Sequence, residues 1–330
     1  MSAANPFPLS SSRPRKHAPK WADLTFALLT GLGAALVMVL LAAFIVVLFI
    51  GAKATVELFG FRFLTNDVWI SASTNPHIPG NIYGIVPFAV GTLLTSAIAL
   101  LLAIPLSLGA AIFLTQQAPV RLRGPVGQLI ELLAAIPSII YGFWGLVVLA
   151  PIMRYEIEPA LQSWLYWTGW FNGPTTGVDV LTASVILAVM VIPTITAISR
   201  DAIAAVPIHQ KEAALSLGAT DWEVTRNAVI PYARGGVFAG IILGLGRALG
   251  ETMAVTLTIG NKNAIPTSLF SQGQTIASLL ANQFAERSGP LELSALMEAG
   301  LILLLITLAI NVGGRMILSR LQRGQGVGRE

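Results

Sequence analysis

The most constraining feature of this sequence is a series of long apolar segments with few or no charged residues. The first, residues 24–50, contains no Asp, Glu, Lys or Arg. A helix of about 20 apolar residues crosses a hydrocarbon core of roughly 30 Å, so each segment is long enough to span a membrane. The further segments are 83–114, 126–153, 180–199, 235–259 and 293–318. Because lipid offers the backbone no hydrogen-bond partners, we predict an all-α integral membrane domain with six transmembrane helices over residues 21–320.

The composition agrees with a surface that faces lipid. The 330 residues are 55% hydrophobic and 11% charged, whereas about a quarter of the residues of a soluble domain are charged. There is no cysteine, which excludes a disulfide framework and a thiolate metal site. There is also no G-x-x-x-x-G-K-[ST] motif, so a nucleotide-binding P-loop is not predicted. We therefore predict no catalytic site, no metal site and no nucleic-acid binding in this chain.

Positive charge is distributed unevenly between the segments that connect the spans. The net charge is +4, and basic residues concentrate in the tails 1–20 and 321–330 and in the loop 200–234. The alternate connections hold only Lys53, Arg62, Arg154, Lys262 and Arg287. Cytosolic segments are enriched in Lys and Arg. We therefore expect a multi-pass membrane protein with both termini and the loop 200–234 in the cytosol, and a disordered N-terminal tail.

The cytosolic loop contains a polar stretch with two helix signals. Residues 211–217 are predicted to form a short helix that ends at Gly218, since glycine tolerates the left-handed conformation found after helix ends. Thr220 and Glu223 fit a capping box at the start of a second helix. Two short helices joined at a glycine form a rigid unit, which suits the transmission of force to the membrane domain.

One basic residue, Arg247, lies inside a predicted span. Glu251 follows four positions later, and residues i and i+4 share one face of a helix, so the two side chains can pair. The same helix carries a row of small residues that lets another helix approach closely. This row consists of Gly236, Gly240 and Gly244. The charged pair is therefore expected to face protein or a water-filled path and not lipid.

Two interpretations of this pair stay open on the sequence alone. In the structural one, Arg247 and Glu251 neutralise each other and lock a helix interface. In the functional one, the guanidinium of Arg247 binds an oxyanion and Glu251 sets its position. Ionisable residues within membranes mark substrate paths in many proteins, and the two roles are compatible. Glu298, near the outer end of the last span, is either an interfacial residue or a further residue of such a path.

The sequence E-A-A at 212–214, with a glycine at 218, resembles the EAA motif of ABC-importer permeases. The pair at 230–231 resembles the end of that motif, although Ala228 and Ile230 stand where the family usually has Ile and Leu. Both departures keep an apolar residue. The resemblance implies that the loop 200–234 carries a coupling helix that docks on an ATPase subunit. The residues of the predicted ATPase-coupling loop are Lys211, Glu212, Ala213, Ala214 and Gly218.

Three longer stretches, 80–95, 131–145 and 243–261, are similar to the PstC permeases of phosphate-specific ABC importers. The resemblance implies a type I ABC importer permease fold and import of inorganic phosphate by alternating access, with Arg247 and Glu251 on the phosphate path. It also implies a location in the bacterial cytoplasmic (inner) membrane, a PstA-like second permease subunit, two PstB-like ATPase subunits and a PstS-like phosphate-binding protein. ATP and Mg²⁺ are then bound by the ATPase partner, and no cofactor is expected in this chain.

Other functions remain compatible with parts of the sequence. A permease for another oxyanion or small solute would share the coupling loop. A secondary transporter or channel that works without an ATPase would explain the spans and Arg247, but it would leave the loop without a function. A role in reporting phosphate to a sensor kinase has no sequence signal for or against it.

Overall fold

The computed structural model describes residues 20–70, 81–287 and 289–323. The predicted tails 1–20 and 321–330 lie outside these ranges, apart from Lys20 and residues 321–323, which are helical. The chain divides into two units, Met1–Val47 and Leu48–Glu330. The first unit contains the N-terminal part of the first helix, and the second unit contains the rest of that helix and all later ones.

Helices account for most of the described residues. In chain order the α-helices are α1 (Lys20–Phe59), α2 (Arg62–Thr65), α3 (Val86–Ile112), α4 (Val120–Ala135), α5 (Ser138–Trp144), α6 (Ala150–Ile152), α7 (Glu158–Leu165), α8 (Val180–Ala204), α9 (Ile208–Ser216), α10 (Asp221–Val224), α11 (Ile230–Gly250), α12 (Met253–Thr258), α13 (Ile276–Glu286) and α14 (Pro290–Arg323). The helical segments long and apolar enough to cross a membrane are Leu24–Phe59, Val86–Gln117, Ser138–Thr168, Val180–Ala204, Asp221–Gly250 and Pro290–Arg320. The prediction of an all-α fold with six transmembrane helices is therefore confirmed.

Each π-helical turn in the described residues is followed, after one intervening residue, by a proline. The turns are Phe113–Gln117, Gly145–Leu149, Met153–Ile157 and Thr225–Val229, and the prolines are Pro119, Pro151, Pro159 and Pro231. In every case the residue directly before the proline donates its backbone N–H to the carbonyl five positions earlier. Proline has no N–H and restricts the residue before it. The π turn therefore keeps the last N–H bonded where the regular hydrogen-bond ladder is interrupted.

The third span has different bounds from the predicted 126–153. Its apolar sequence is divided, because α4 ends before Ile136, which is extended with ψ of 129°, and a new helical segment covers Ser138–Thr168. Pro137 explains the break, since a residue that precedes proline disfavours the α conformation. The aromatic stretch 154–179, which lies between the predicted third and fourth spans, is consequently helical as far as Thr168.

The fifth span also begins and ends earlier than the predicted 235–259. It covers Asp221–Gly250. Pro231 does not interrupt it, because this proline occupies the first turn of α11, where its missing N–H is tolerated. The segment between the predicted fifth and sixth spans is not a continuous loop, since it contains α13, which starts with a capping box between Thr275 and Ser278.

The core of the second unit is organised around α8. In the most apolar window of this helix 67% of the residues are buried, against 28% for each of the other four spans in the unit. It packs against α3, α4, α11 and α12. Helices in lipid associate through close packing and not through exclusion of water, so small and β-branched residues suit such contacts. Buried examples are Ala99, Ala103, Ala183, Val191 and Ile195.

Candidate functional site

Arg247 lies in the last turn of α11, directly before a break in the span. The helix ends at Gly250, and Glu251 has an extended conformation with ψ of 128°. A separate short helix, α12, begins at Met253. The C-terminal end of a helix carries partial negative charge, which favours a cation in its last turn. This position can therefore hold the half-buried guanidinium without a neighbouring carboxylate.

The ion pair predicted between Arg247 and Glu251 does not form. Nη1 of Arg247 donates a hydrogen bond to Oγ1 of Thr194 on α8 at 3.2 Å. Oε1 of Glu251 instead accepts from the backbone N–H of Ala254 at 3.3 Å and so caps the first turn of α12. Pairing at i and i+4 needs a continuous helix through both residues, and this helix ends one residue before Glu251. The structure therefore separates the roles of the two charged residues.

The guanidinium of Arg247 keeps most of its donor capacity. An arginine side chain presents five N–H donors in a planar fork. Within the described residues, the hydrogen bond to Thr194 is the one that this side chain makes. The remaining donors suit a tetrahedral oxyanion, which arginine can bind through two parallel hydrogen bonds. The arrangement thus provides a positively charged, partly dehydrated position inside a membrane span.

The glycine row of α11 lies against α8, the helix that carries Thr194. A β-carbon at Gly244 would be 2.7 Å from Cγ1 of Ile195, and one at Gly240 would be 3.2 Å from Cβ of Ile198. A β-carbon at Gly236 would overlap the side chain of Ala202. The two helices are therefore close enough over several turns for Arg247 to reach Thr194.

The coupling loop contains two short helices, α9 and α10, joined at Gly218. This glycine has φ of +84°, the left-handed conformation expected after a helix end. The predicted capping box is confirmed: Oγ1 of Thr220 accepts from the N–H of Glu223, and the Glu223 carboxylate accepts from the N–H of Thr220. The helix predicted over 211–217 is three residues longer at its start and one shorter at its end, covering Ile208–Ser216.

The predicted coupling residues fall on two sides of α9. Lys211 and Ala214 face the membrane domain: Nζ of Lys211 donates to Oε1 of Gln116 at 3.2 Å, and Ala214 packs on a buried cluster. Glu212, Ala213 and Gly218 are exposed. The outward side is therefore free to contact another protein, while the inward side is attached to the spans.

The buried cluster beneath α9 joins three spans. Its core residues are Ala111, Ile203, Val206, Val224, Val229 and Ala233. They belong to α3, to the end of α8 and its following turn, and to the helical segment that contains α10 and α11. A displacement of α9 would therefore be transmitted to the helices that carry Thr194 and Arg247.

A charge cluster braces the same end of α8. Nη2 of Arg200 lies 2.8 Å from Oε1 of Glu131 on α4 and 3.0 Å from Oδ1 of the neighbouring Asp201. Arg200 and Asp201 are the first residues of the loop 200–234, and Glu131 contacts that loop through Arg200. These ion pairs connect α4 to the C-terminal end of α8, which directly precedes α9.

Several residues of the site were not identified from the sequence. Thr194 was not predicted as the partner of Arg247, because that contact depends on how α8 and α11 pack. The coupling loop also presents exposed apolar side chains, among them Leu217 at 89% and Trp222 at 60% exposure. The presence of these apolar residues within a polar loop is the sequence signal that could have identified them. Glu298 is buried beside Thr55 at the contact between α14 and the C-terminal part of α1.

The fold is that of an ABC-importer permease: a helical membrane domain with two short helices in a polar loop and a cation within a span. The sequence matches the family described as "Binding-protein-dependent transport system inner membrane component" over residues 103–325, and the chain belongs to this family. It is thus a multi-pass inner membrane protein and a component of an ABC importer, and such a component works with an ATPase and further subunits.

Two relatives show which permeases within this family the chain is similar to. The chain is 45% identical over 308 residues to "Phosphate transport system permease protein PstC" of Mesorhizobium japonicum, covering 92% of each protein. It is 46% identical over 308 residues to the protein of the same name from Pasteurella multocida, covering 92% of this chain and 94% of that relative. The similarity to PstC permeases indicated by the sequence motifs is therefore confirmed.

Solved structures agree on the fold. An inward-facing MetNI methionine ABC transporter matches with a TM-score of 0.55 and 16% identity, covering 72% of this chain and 95% of that one. A bacterial ABC transporter involved in alginate import matches with a TM-score of 0.52 and 16% identity, covering 91% and 98%. At this level of identity the likeness concerns the fold and not the transported solute.

Proposed function

We propose that this chain is the permease subunit of an ATP-driven importer that moves inorganic phosphate across the cytoplasmic membrane by alternating access. Its PstC relatives, 45% and 46% identical over 92% of the chain, carry phosphate transport in their names. The observation in the structure that carries the proposal is Arg247, a guanidinium within a span with most of its donors available to an anion. The chain supplies the passage and no catalytic group.

Arg247 acts on phosphate as it passes through the membrane. Phosphate loses part of its hydration there, and charge-assisted hydrogen bonds from the guanidinium replace it. Thr194 holds one N–H, so the remaining fork keeps a defined direction towards the path. Glu251, set apart in the break after α11, places a negative charge close in sequence to this position and so limits how tightly an anion is retained.

The coupling helix α9 transmits the work of ATP hydrolysis. Glu212, Ala213 and Gly218, on its exposed side, meet the ATPase, and Lys211 and Ala214 attach it to the spans. Closure of the ATPase dimer around ATP and Mg²⁺ moves α9 as a rigid body. Because α9 rests on the cluster that joins α3, α8 and α11, this movement switches the spans between inward- and outward-facing arrangements.

The assembly contains four kinds of protein. A PstA-like permease pairs with this chain to form the pore, two PstB-like subunits bind the nucleotide, and a PstS-like protein delivers phosphate from outside. The positive charge of the tails and of the loop 200–234 supports a cytosolic location of both termini and α9. Lipid surrounds the spans.

The test is uptake of labelled phosphate by proteoliposomes that contain the complete complex, with wild type compared to Arg247→Gln. We expect the variant to assemble but to lose at least 90% of uptake, as an order-of-magnitude consequence of removing a charged hydrogen-bond donor. Arg315→Gln, which removes an exposed arginine of α14, is the matched control and should transport normally. Excess sulfate should compete weakly. Wild-type uptake by Arg247→Gln, or equal competition by sulfate, contradicts the proposal.

A further inference from the structure

Two acidic residues are completely buried at the end of α8 opposite the coupling loop. Glu158 is the first residue of α7, and Asp179 is the N-cap of α8; both are 0% exposed. Carboxyl groups are almost never fully buried unless they are paired. The two carboxyl groups are neighbours, because Glu158 accepts a hydrogen bond from the N–H of Gly177, two residues before Asp179, and each carboxyl group influences the pKa of the other. Neither belongs to the site around Arg247.

One oxygen of each group has a backbone partner. Oδ1 of Asp179 accepts from the N–H of Thr182 at 2.9 Å, which caps α8. Oε2 of Glu158 accepts from the N–H of Gly177 at 3.3 Å. These bonds fix both carboxyl groups against the segment that leads from α7 into α8.

Oε1 of Glu158 and Oδ2 of Asp179 are buried and lack a hydrogen-bond partner among the described residues. Two ionised carboxylates offer only acceptors, so they cannot satisfy each other. A single proton held between them provides the missing donor and removes one of two like charges in contact.

No cation takes the place of that proton. Neither carboxyl group takes part in an ion pair within the described residues. Arg154 is four positions before Glu158, but the π turn Met153–Ile157 changes the spacing of the two side chains. The guanidinium of Arg154 instead lies 5.2 Å from the ring centroid of Tyr155. The charged neighbours on the same element, Arg154 and Glu156, are exposed.

The elements packed around the pair add no charge either. The helices α3 and α12, which contact α8, contain no titratable residue. The chain around 269–271, whose carbonyls bind the first N–H groups of α8, contributes only Leu, Phe and Ser, and Lys262 on the same connection is exposed. Tyr141 of α5 donates its hydroxyl to the carbonyl of Leu133, and Tyr166 is exposed. Arg247 reaches α8 at Thr194, about 22 Å along the helix from Asp179.

We propose that Glu158 and Asp179 together form a buried binding site for one proton, which joins the end of the third span to the start of α8. At neutral pH the pair then carries a single negative charge. Burial raises the pKa of Asp179 above the ordinary carboxyl value, which agrees with a protonated pair. Loss of the proton would leave two buried carboxylates in contact and would push α7 away from the N-terminus of α8.

The sign of the pH dependence follows from proton linkage. Carboxyl groups of an unfolded chain release their protons near pH 4, whereas the folded pair keeps one proton to higher pH. Between about pH 4 and the pH at which the pair loses its proton, the folded protein therefore binds more protons than the unfolded chain. Its stability decreases as the pH rises through this range. For one proton, the folding equilibrium constant falls by up to tenfold per pH unit within that window.

The test is difference infrared spectroscopy on the purified full-length chain in lipid nanodiscs. We expect the wild type at neutral pH to show a carbonyl stretch of a protonated carboxyl group that is absent from Glu158→Gln. Glutamine keeps the shape and can donate its amide N–H to Asp179, so this variant is expected to fold. Glu156→Gln, which removes an exposed carboxylate two residues away, is the matched control and should keep the band.

The pH dependence of thermal stability is a second, independent measurement. The thermal stability of the wild type and of Glu156→Gln should decrease between pH 5 and pH 9, while that of Glu158→Gln should change less. Asp179→Asn should remove the same band but also weaken the cap of α8. Identical spectra for the wild type and Glu158→Gln, together with identical pH profiles, would overturn the proposal.

Discussion

Nη1 of Arg247 donates a hydrogen bond to Oγ1 of Thr194 at 3.2 Å, and this contact joins the two helices that meet in the middle of the permease. The arginine is in the last turn of α11, and the threonine follows Pro193 within α8. The bond orients a cation without neutralising it. A hydroxyl, unlike a carboxylate, leaves the full charge available to an anion that passes by.

Replacement of Thr194 tests this orienting role. Thr194→Val keeps the volume but removes the acceptor, which costs about 1.5 kcal/mol for a hydrogen bond to a charged group. We expect the ratio kcat/KM for phosphate uptake to fall about tenfold. Thr194→Ser, which retains the hydroxyl, should restore most of it. Equal rates for the valine and serine variants would show that the hydrogen bond has no part in transport.

Glu251 offers a separate test, because the structure gives it a backbone partner. Oε1 of Glu251 accepts from the N–H of Ala254. Glu251→Gln keeps an acceptor oxygen for that N–H and removes only the charge. If the charge limits retention of phosphate, the variant should bind phosphate more tightly and transport it more slowly, with both KM and kcat reduced. Unchanged values of both would assign Glu251 to capping alone.

The packing of α11 on α8 predicts a difference between two glycine substitutions. Gly244→Ala would place a β-carbon 2.7 Å from Ile195, and such overpacking costs about 1–3 kcal/mol. Gly313→Ala, in α14, meets no atom within 4 Å and should be neutral. Thermal unfolding of the purified protein measures both. Equal midpoints for the two variants would contradict the close approach of these helices.

The coupling helix is tested by charge reversal. Glu212→Arg places a cation on the exposed side of α9 and should uncouple ATP hydrolysis from transport, lowering phosphate moved per ATP by about tenfold if a contact of about 1.4 kcal/mol is lost. Glu286→Arg makes the same change at an exposed position of α13 and should leave coupling unaffected. Parallel measurement of ATP hydrolysis and uptake decides the point. Normal coupling in Glu212→Arg would remove α9 from the ATPase interface.

The number of spans was predictable from the sequence because each needs only a long apolar segment. Their bounds were less predictable where prolines occur. Pro137 divides an apolar segment into two helices, whereas Pro151, Pro159 and Pro231 lie within continuous helical segments. A π turn precedes each of these three prolines, but one also precedes Pro119, where the helix ends. The same residue type therefore gives opposite outcomes, and a local pattern does not distinguish them.

The candidate site was predictable only in part. The position of Arg247 within a span followed from the sequence, whereas its partner depends on the break after Gly250 and on the packing against α8. The burial of Glu158 and Asp179 was missed for a similar reason. The stretch that contains them lies between the predicted third and fourth spans, although α7 extends the third span into it. Contacts between distant segments decide such details.

The most direct test of the central claim is labelled-phosphate uptake by proteoliposomes containing the complete complex, with ATP and Mg²⁺ present or absent, beside proteoliposomes containing this chain alone. We predict uptake only in the complete complex and only with ATP. Phosphate transport by the isolated chain without nucleotide would contradict the account.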